Sequence, residues 1–386
     1  MLNKQRLLTP GPTPLPERVR LALARDMVHH RKPEFKQLLH EVQEGLRTLF
    51  GTSGPVLSLA ASGSGAMTAA VTGLFAAGET VVTIEGGKFG ERWTRICAAS
   101  GVKAIPLSVP WGEGASLDAV ERALDAAPEA SGLLVQVSET STGAMHPVRE
   151  LAALAAKRGV LLVADGVSAV SISPCPMDEW GLDCLLTGSQ KGLLLPPGLS
   201  FIALSERAWE KAERAAGRDF YFNLVEERAN LAKDQTCFTP AINLLYGLHE
   251  SLGLLLEEGL DAVYRKQWAL TCMARAAVSV MGFELLAKKN YTWGLTSVKL
   301  PGGIASGPLL ARAAEQYGVV MASGMGHMKD SVVRIGHMGW VDFGDLAAGL
   351  YALAASFQAL GGHLGARDYL EQACVAYERA LTDELP

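Results

Sequence analysis

At 386 residues the chain exceeds the roughly 250–300 beyond which one hydrophobic core usually divides, so two domains are expected. It is 49% hydrophobic and 19% charged with a net charge of −5 and no polybasic run, which argues against nucleic acid and anionic membranes as partners. No apolar run approaches the roughly 18–20 residues of a spanning helix, no apolar leader follows Lys4 and Arg6, and six scattered cysteines form no CxxC pair. These features predict a cytoplasmic protein without a metal site or a disulfide framework.

Residues 8–16 are too rich in proline to be helical throughout. They make residues 1–16 read as an extended apolar arm that lies on something, a partner subunit being one possibility. Helices are predicted over 17–25 and 33–50. Between them His29-His30-Arg31 reads as structural or as a pocket wall, because no acidic or cysteine cluster accompanies the histidines. A strand over 56–60 leads into Ala61-Ser62-Gly63-Ser64-Gly65-Ala66 and a helix over 67–76. A glycine–serine turn feeding a helix offers free N–H donors at the positive dipole end, which suits a phosphate, although serine is also an ordinary N-cap. A strand over 79–84 follows. Phe89, between glycines at its end, fits either the core or the face of a flat ring.

A strand over 131–137 runs into the polar loop Ser138-Glu139-Thr140-Ser141-Thr142-Gly143, and a helix is predicted over 147–158. Residues 160–164 are continuously apolar, as in a strand buried on both faces, and Asp165 stands at the carboxyl end. Residues 184–187 repeat that pattern, and Gln190-Lys191-Gly192 comes after them. Ligands of open α/β sheets bind outside the carboxyl ends of the strands. One acid and one amine delivered there suit pyridoxal phosphate, which needs a lysine and an acidic partner for its ring nitrogen. Singly they read as a surface lysine and a turn aspartate; the pair in this order reverses that. With a strand over 199–204, the alternation from 56 to 207 predicts an α/β fold with a mostly parallel sheet flanked by helices.

Helices over 206–218 and 241–258 bracket Thr236-Cys237-Phe238-Thr239-Pro240. A long helix from 261 to about 281 opens a second, smaller α/β domain, giving an expected division into 17–260 and 261–386. Its strands are predicted at 296–300, 319–321 and 332–339, and its later helices at 346–360 and 368–381. Arg334 lies within an apolar strand, where a guanidinium is costly unless paired with an anion.

Taken together, these segments resemble the class-V, fold-type I pyridoxal-phosphate aminotransferases, most closely the alanine–glyoxylate and serine–pyruvate group, over essentially the whole chain. Thr9-Pro10-Gly11-Pro12-Thr13 looks like the family's opening motif, Ser62-Gly63-Ser64-Gly65 its phosphate loop and Glu139-Thr140-Ser141-Thr142-Gly143 its hydroxyl loop. Asp165-Gly166-Val167-Ser168, Ser189-Gln190-Lys191 and Arg334-Ile335-Gly336 look like its acid, its Schiff-base site and its carboxylate arginine. The resemblance implies transamination of a small α-amino acid, alanine or serine, with glyoxylate or pyruvate. Lys191 would carry the cofactor and Asp165 would pair with its ring nitrogen. Val167 and Phe89 would pack on the ring faces, Ser64, Gly65, Ala66 and Gln190 would serve the phosphate, and Thr140 would bond near the phenolic oxygen. Arg334 would clamp the substrate carboxylate. Thr236 and Thr239 would reach the phosphate of the neighbouring subunit, making a homodimer with shared sites.

Two departures are visible: Phe89 where relatives often carry Trp or His, and Ala66 where relatives carry a polar residue. A cysteine desulfurase would need a mobile-loop cysteine, and none occurs between Cys272 and Cys374. A phosphoserine- or phosphonate-type aminotransferase would want further cations, for which His29, His30 and Arg31 would serve. A non-catalytic subunit retaining the fold is disfavoured by the intact Asp165, Lys191 and Arg334.

Overall fold

Uninterrupted runs of Val, Leu, Ile and Ala make strands that must be covered on both sides. The computed structural model, which describes residues 4–215 and 219–386, places seven strands in one sheet. Their spatial order is Val56–Leu59, Ser200–Leu204, Cys184–Gly188, Leu161–Asp165, Ala130–Gln136, Thr80–Glu85 and Lys103–Ser108. Leu161–Asp165 and Cys184–Gly188 are buried at every residue and sit near the middle. Successive side chains leave a strand on opposite faces. Accordingly Leu162 and Ala164 enter one core cluster, with the helices Pro33–Phe50, Val148–Arg158 and Ile242–Glu258. Leu161 and Val163 enter the other, with Gly63–Leu74 and Glu206–Ala215. Truncating Leu162 to Ala would cost about 2–5 kcal/mol, the usual range for a packed core leucine.

All neighbouring pairs in this sheet are parallel except those made by Ser200–Leu204, which is antiparallel to both its partners. It follows Cys184–Gly188 without an intervening helix, and only antiparallel strands can be joined that way. The edge strand Lys103–Ser108 and the helices Gly90–Ala99 and Leu117–Asp125 were not predicted individually. The edge strand is exposed at Lys103, Pro106 and Ser108, and proline is a residue that sheets tolerate at an edge. The helix expected over 206–218 spans Glu206–Ala215, and residues 216–218 lie outside the described residues, as do residues 1–3 of the arm.

A second sheet is wholly antiparallel, in the order Glu284–Leu285, Leu295–Lys299, Val332–Gly336 and Ala322–Ser323. Helices Leu260–Val280, Ser306–Tyr317, Phe343–Ala359 and Tyr369–Thr382 share its core. The arm lies on this layer of its own chain: Arg6–Leu7 pairs in parallel with Val319–Val320, and Leu8 is fully buried in the same core. From there residues 9–13 cross to the strand ends of the larger sheet. Among the described residues no helix is long and apolar enough to cross a membrane.

Candidate active site

The carboxyl ends of the two central parallel strands open into a cavity of about 310 Å³. Asp165 is the last residue of its strand, and Lys191 follows Gly188 by a short turn. Both line the cavity, together with Ser64, Phe89, Thr140, Val167 and Gln190. The arm forms part of its wall. Lys191 Nζ donates to the carbonyl of Pro10, Thr13 Oγ1 donates to the carbonyl of Lys191 (3.1 Å), and Thr13 N–H donates to that of Gln190 (3.2 Å). Only glycine fits at position 11: its φ is +108°, and a Cβ there would lie 2.6 Å from Lys191 Cδ and Cε.

Burial depresses the Lys191 amine to about 8, helped by the positive charge of Arg334 and opposed by Asp165. A buried ammonium loses hydration, so a useful fraction of the amine is neutral and nucleophilic near neutral pH. Burial moves Asp165 the other way, up to about 6, although it accepts the Val167 N–H at 2.8 Å. A cationic N–H presented to this carboxylate would favour its charged form.

Glu139 plays a part that the sequence did not reveal. It is fully buried and accepts the N–H groups of Phe89 (3.2 Å), Gly90 (2.8 Å) and Ser141 (3.0 Å) and the Ser141 hydroxyl (2.6 Å). Burial raises its pKa against those hydrogen bonds. Gln136 Nε2 donates to the Phe89 carbonyl at 2.7 Å, so the backbone of Phe89 is held on both sides.

At the opposite wall the helix begins at Gly63, four residues before the expected start. Ser62 is an extended N-cap without a side-chain cap bond, and its carbonyl accepts the N–H groups of Gly65 (2.7 Å) and Ala66 (3.3 Å). The N–H groups of Gly63 and Ser64 are the ones this helix start leaves for a ligand. A Cβ on Gly63 would lie 2.7 Å from Val167 Cγ2, so glycine brings the helix start up to the acid's strand. Of the four residues expected at the phosphate, Ser64 and Gln190 face the cavity. Ala66 is buried in the core, and a Cβ on Gly65 would meet Ala61 and Phe222. Gln190 Oε1, an acceptor, is buried without a partner among the described residues.

Two arginines complete the surroundings. Arg92, missing from the expected ligand set, donates to Ser64 Oγ at 2.8 Å and stands 4.9 Å from the Phe89 ring centroid. Arg334 is paired in register with Ser297 and Ala322 and donates to the carbonyls of Ser323 (2.8 Å) and Thr140 (2.9 Å). It is largely buried, which lowers its pKa, and among the described residues no carboxylate lies within 4.0 Å of it.

Thr236 and Thr239 are not brought to Lys191. They line a separate pocket of about 40 Å³ with Tyr221, Glu227 and Phe238. Thr236 Oγ1 donates to the Phe238 carbonyl (2.6 Å), and Arg31 donates to Gln235 Oε1 (2.8 Å) and to the Thr236 carbonyl (3.1 Å). His29 and His30, next to Arg31 in the chain, stack at 4.7 Å between ring centroids and do not line the Lys191 cavity.

A buried amine of lowered pKa, a buried carboxylate, a flat aromatic wall and an uncapped helix start share one cavity. This donor set fits a group that combines a carbonyl, a basic ring nitrogen and a phosphate. A family model described as aminotransferase class-V matches residues 17–341 of the chain. The chain is 35% identical to a protein named soluble hydrogenase, small subunit, from Synechococcus sp., over 94% of this chain and 95% of that protein. It is 34% identical to a serine–glyoxylate aminotransferase of Hyphomicrobium methylovorum over 93% and 91% of the two chains. The crystal structure of pyridoxamine–pyruvate aminotransferase from Mesorhizobium loti matches with a TM-score of 0.93 at 27% identity, covering 98% of each chain.

Proposed function

The chain belongs to the class-V aminotransferase family, and from that membership we propose a pyridoxal-phosphate enzyme that transfers the amino group of alanine or serine to glyoxylate or pyruvate. The observation that carries the cofactor is the convergence of Lys191 and Asp165, both buried, on one cavity beside the helix start at Gly63. When bound, pyridoxal phosphate supplies an electron-withdrawing ring that acidifies the substrate's Cα–H. Asp165 keeps a proton on the ring nitrogen. Lys191, held dry by the arm, moves the proton from the substrate's Cα. Phe89 and Val167 would pack against the ring and hold it in place, and the N–H groups of Gly63 and Ser64 would receive the phosphate. Arg334 has its Nε and Nη1 on backbone carbonyls, and Nη2 has no partner among the described residues. That edge suits a substrate carboxylate and favours α-amino acids over simple amines.

The similarity to a serine–glyoxylate aminotransferase supports a small donor. The phosphoserine-type alternative would need Arg31, which donates to the Thr236 carbonyl, to reach a substrate phosphate in the neighbour's cavity. We infer also that 17–260 and 261–386 are separate domains, and that the unit is a homodimer in which Thr236 and Thr239 complete the neighbour's phosphate site. The second reading, a non-catalytic subunit, is favoured by the name of the Synechococcus relative. It requires that added pyridoxal phosphate raise no visible absorbance.

The test is a single-turnover panel in which amino acids are added to the cofactor-loaded protein and the loss of its visible absorbance is timed. Alanine and serine are expected to react faster than aspartate and glutamate. The reverse ranking would sink the donor assignment and leave the transferase assignment standing.

A further inference from the structure

We propose that Arg92 is a positioning residue for the cofactor phosphate: it orients the Ser64 hydroxyl toward the phosphate and supplies positive charge that the chain's own wall at this end of the cavity otherwise lacks. The proposal rests on the cofactor reading above and adds a residue to it. Among the described residues the cavity is lined by two cations, Lys191 and Arg92. Lys191 must be neutral to react with a carbonyl, so its charge is not available to the phosphate. Ser62, Gly63, Ser64 and Gln190, at the helix-start end, are uncharged. A phosphate monoester brings about −1.5 to −2 charges, and a helix N-terminus answers only about half of one.

Arg92 is placed to answer the rest. Its guanidinium stands over Phe89, one helical turn earlier, so the element that positions the ring wall also positions the cation. Among the described residues no carboxylate lies within 4.0 Å of it. Its Nη1 donates to Ser64 Oγ at 2.8 Å. Once that oxygen accepts from Arg92, its own O–H is free to donate elsewhere, and an anion at the helix start is the acceptor in reach. Arg334 occupies another edge of the site, on the carbonyls of Thr140 and Ser323, and that separation leaves Arg92 with the phosphate rather than with an α-carboxylate.

Cofactor-free wild-type protein, Arg92→Gln, Arg92→Lys, Ser64→Ala and the Arg92→Gln/Ser64→Ala double variant would be titrated with pyridoxal phosphate and with pyridoxal, which lacks the phosphate. Arg92→Gln should weaken pyridoxal phosphate about ten- to a hundredfold, the scale of a lost charge-assisted bond, and leave pyridoxal within about twofold. Arg92→Lys should recover part of the loss. The double variant should lose less than the product of the two singles, because Ser64 depends on Arg92 for its orientation. Equal losses for both ligands would mean general distortion and overturn the proposal. So would unchanged pyridoxal phosphate binding with KM raised only for aspartate and glutamate, since Arg92 would then be reading a second substrate carboxylate. A wild-type protein that gains no visible absorbance with pyridoxal phosphate fails at the earlier step, and both readings fall together.

Discussion

Around Lys191 the chain closes on itself; around Thr236 it turns aromatic rings outward. Lys191 is 8% exposed, and its amine, its carbonyl and the turn that carries it are all bonded to the arm. At the other pocket Phe220 is 85% exposed and Tyr221 48%, and Tyr221 stacks on Phe238 with centroids 5.0 Å apart. Strand ends that share a sheet can be sealed by one crossing segment. A loop that presents clustered rings to water calls for a second surface. On the dimer proposed above, the difference would separate chemistry that one chain assembles from ligand contacts that a neighbour supplies.

Removing the amine is the most severe way to break that contrast. Lys191→Ala should reduce turnover to background and abolish the label that borohydride fixes in the wild-type protein, read by peptide mapping. A label found on Lys88 would move the centre of the site. Asp165→Asn should keep the fold and lose at least about tenfold in turnover, since a charge-assisted bond is worth roughly 1.5–3 kcal/mol. Near-wild-type rates would place the acid elsewhere. Arg334→Lys keeps the charge and loses the planar fork, so KM should rise about tenfold for every amino acid tested.

The other pocket is tested by mixing. A Thr236→Ala/Thr239→Ala chain should bind pyridoxal phosphate at least about tenfold more weakly, since a hydrogen bond to a charged group is worth roughly 1.5–3 kcal/mol. Combined with a Lys191→Ala chain it should regain activity, because one site of the mixed dimer receives a full set of residues. No recovery while subunits demonstrably exchange would leave Thr236 and Thr239 without a role in the site.

The smallest effect is in pH. Capture of pyridoxal phosphate by the cofactor-free protein needs the neutral amine, so its rate should rise with pH through a midpoint of about 8. Asp165 favours the ammonium form, and its replacement by Asn should move the midpoint down. Arg334 disfavours that form, and Arg334→Gln should move it up. Shifts of the opposite sign would contradict the electrostatics of the cavity. The same depressed pKa makes the cofactor-free fold gain stability as pH rises from about 8 toward the unfolded lysine's value, because the unfolded chain binds the proton that the folded one has lost.

Asp165 and Lys191 stood out in the sequence because each is announced by its own strand. The edge strand Lys103–Ser108 did not, having polar residues only at its ends and a proline inside it. The helix start at Gly63 was missed because glycine is a poor helix former, whereas here it admits Val167. Glu139 is 50 positions from Phe89 and Arg92 is 28 from Ser64, and no local pattern encodes such pairings. The arm was legible as apolar and extended. Its resting place was not, because that depends on Gly349, whose absent side chain leaves room for Leu8.

That resting place ties the dryness of one layer to the durability of another. The N–H groups of Arg6 and Leu8 donate to Gly318 and Val320, and Gly336 N–H donates back to the Leu8 carbonyl at 2.6 Å. Two residues further on, the same strand of backbone covers the lysine. In hydrogen exchange the amides of Arg6, Leu8 and Gly336 should therefore open together, with the free energy of the smaller sheet and not of the seven-stranded one. Each such opening lifts the cover from Lys191, so the lifetime of the reactive amine in its dry state is set by the local unfolding of the layer that also carries Arg334.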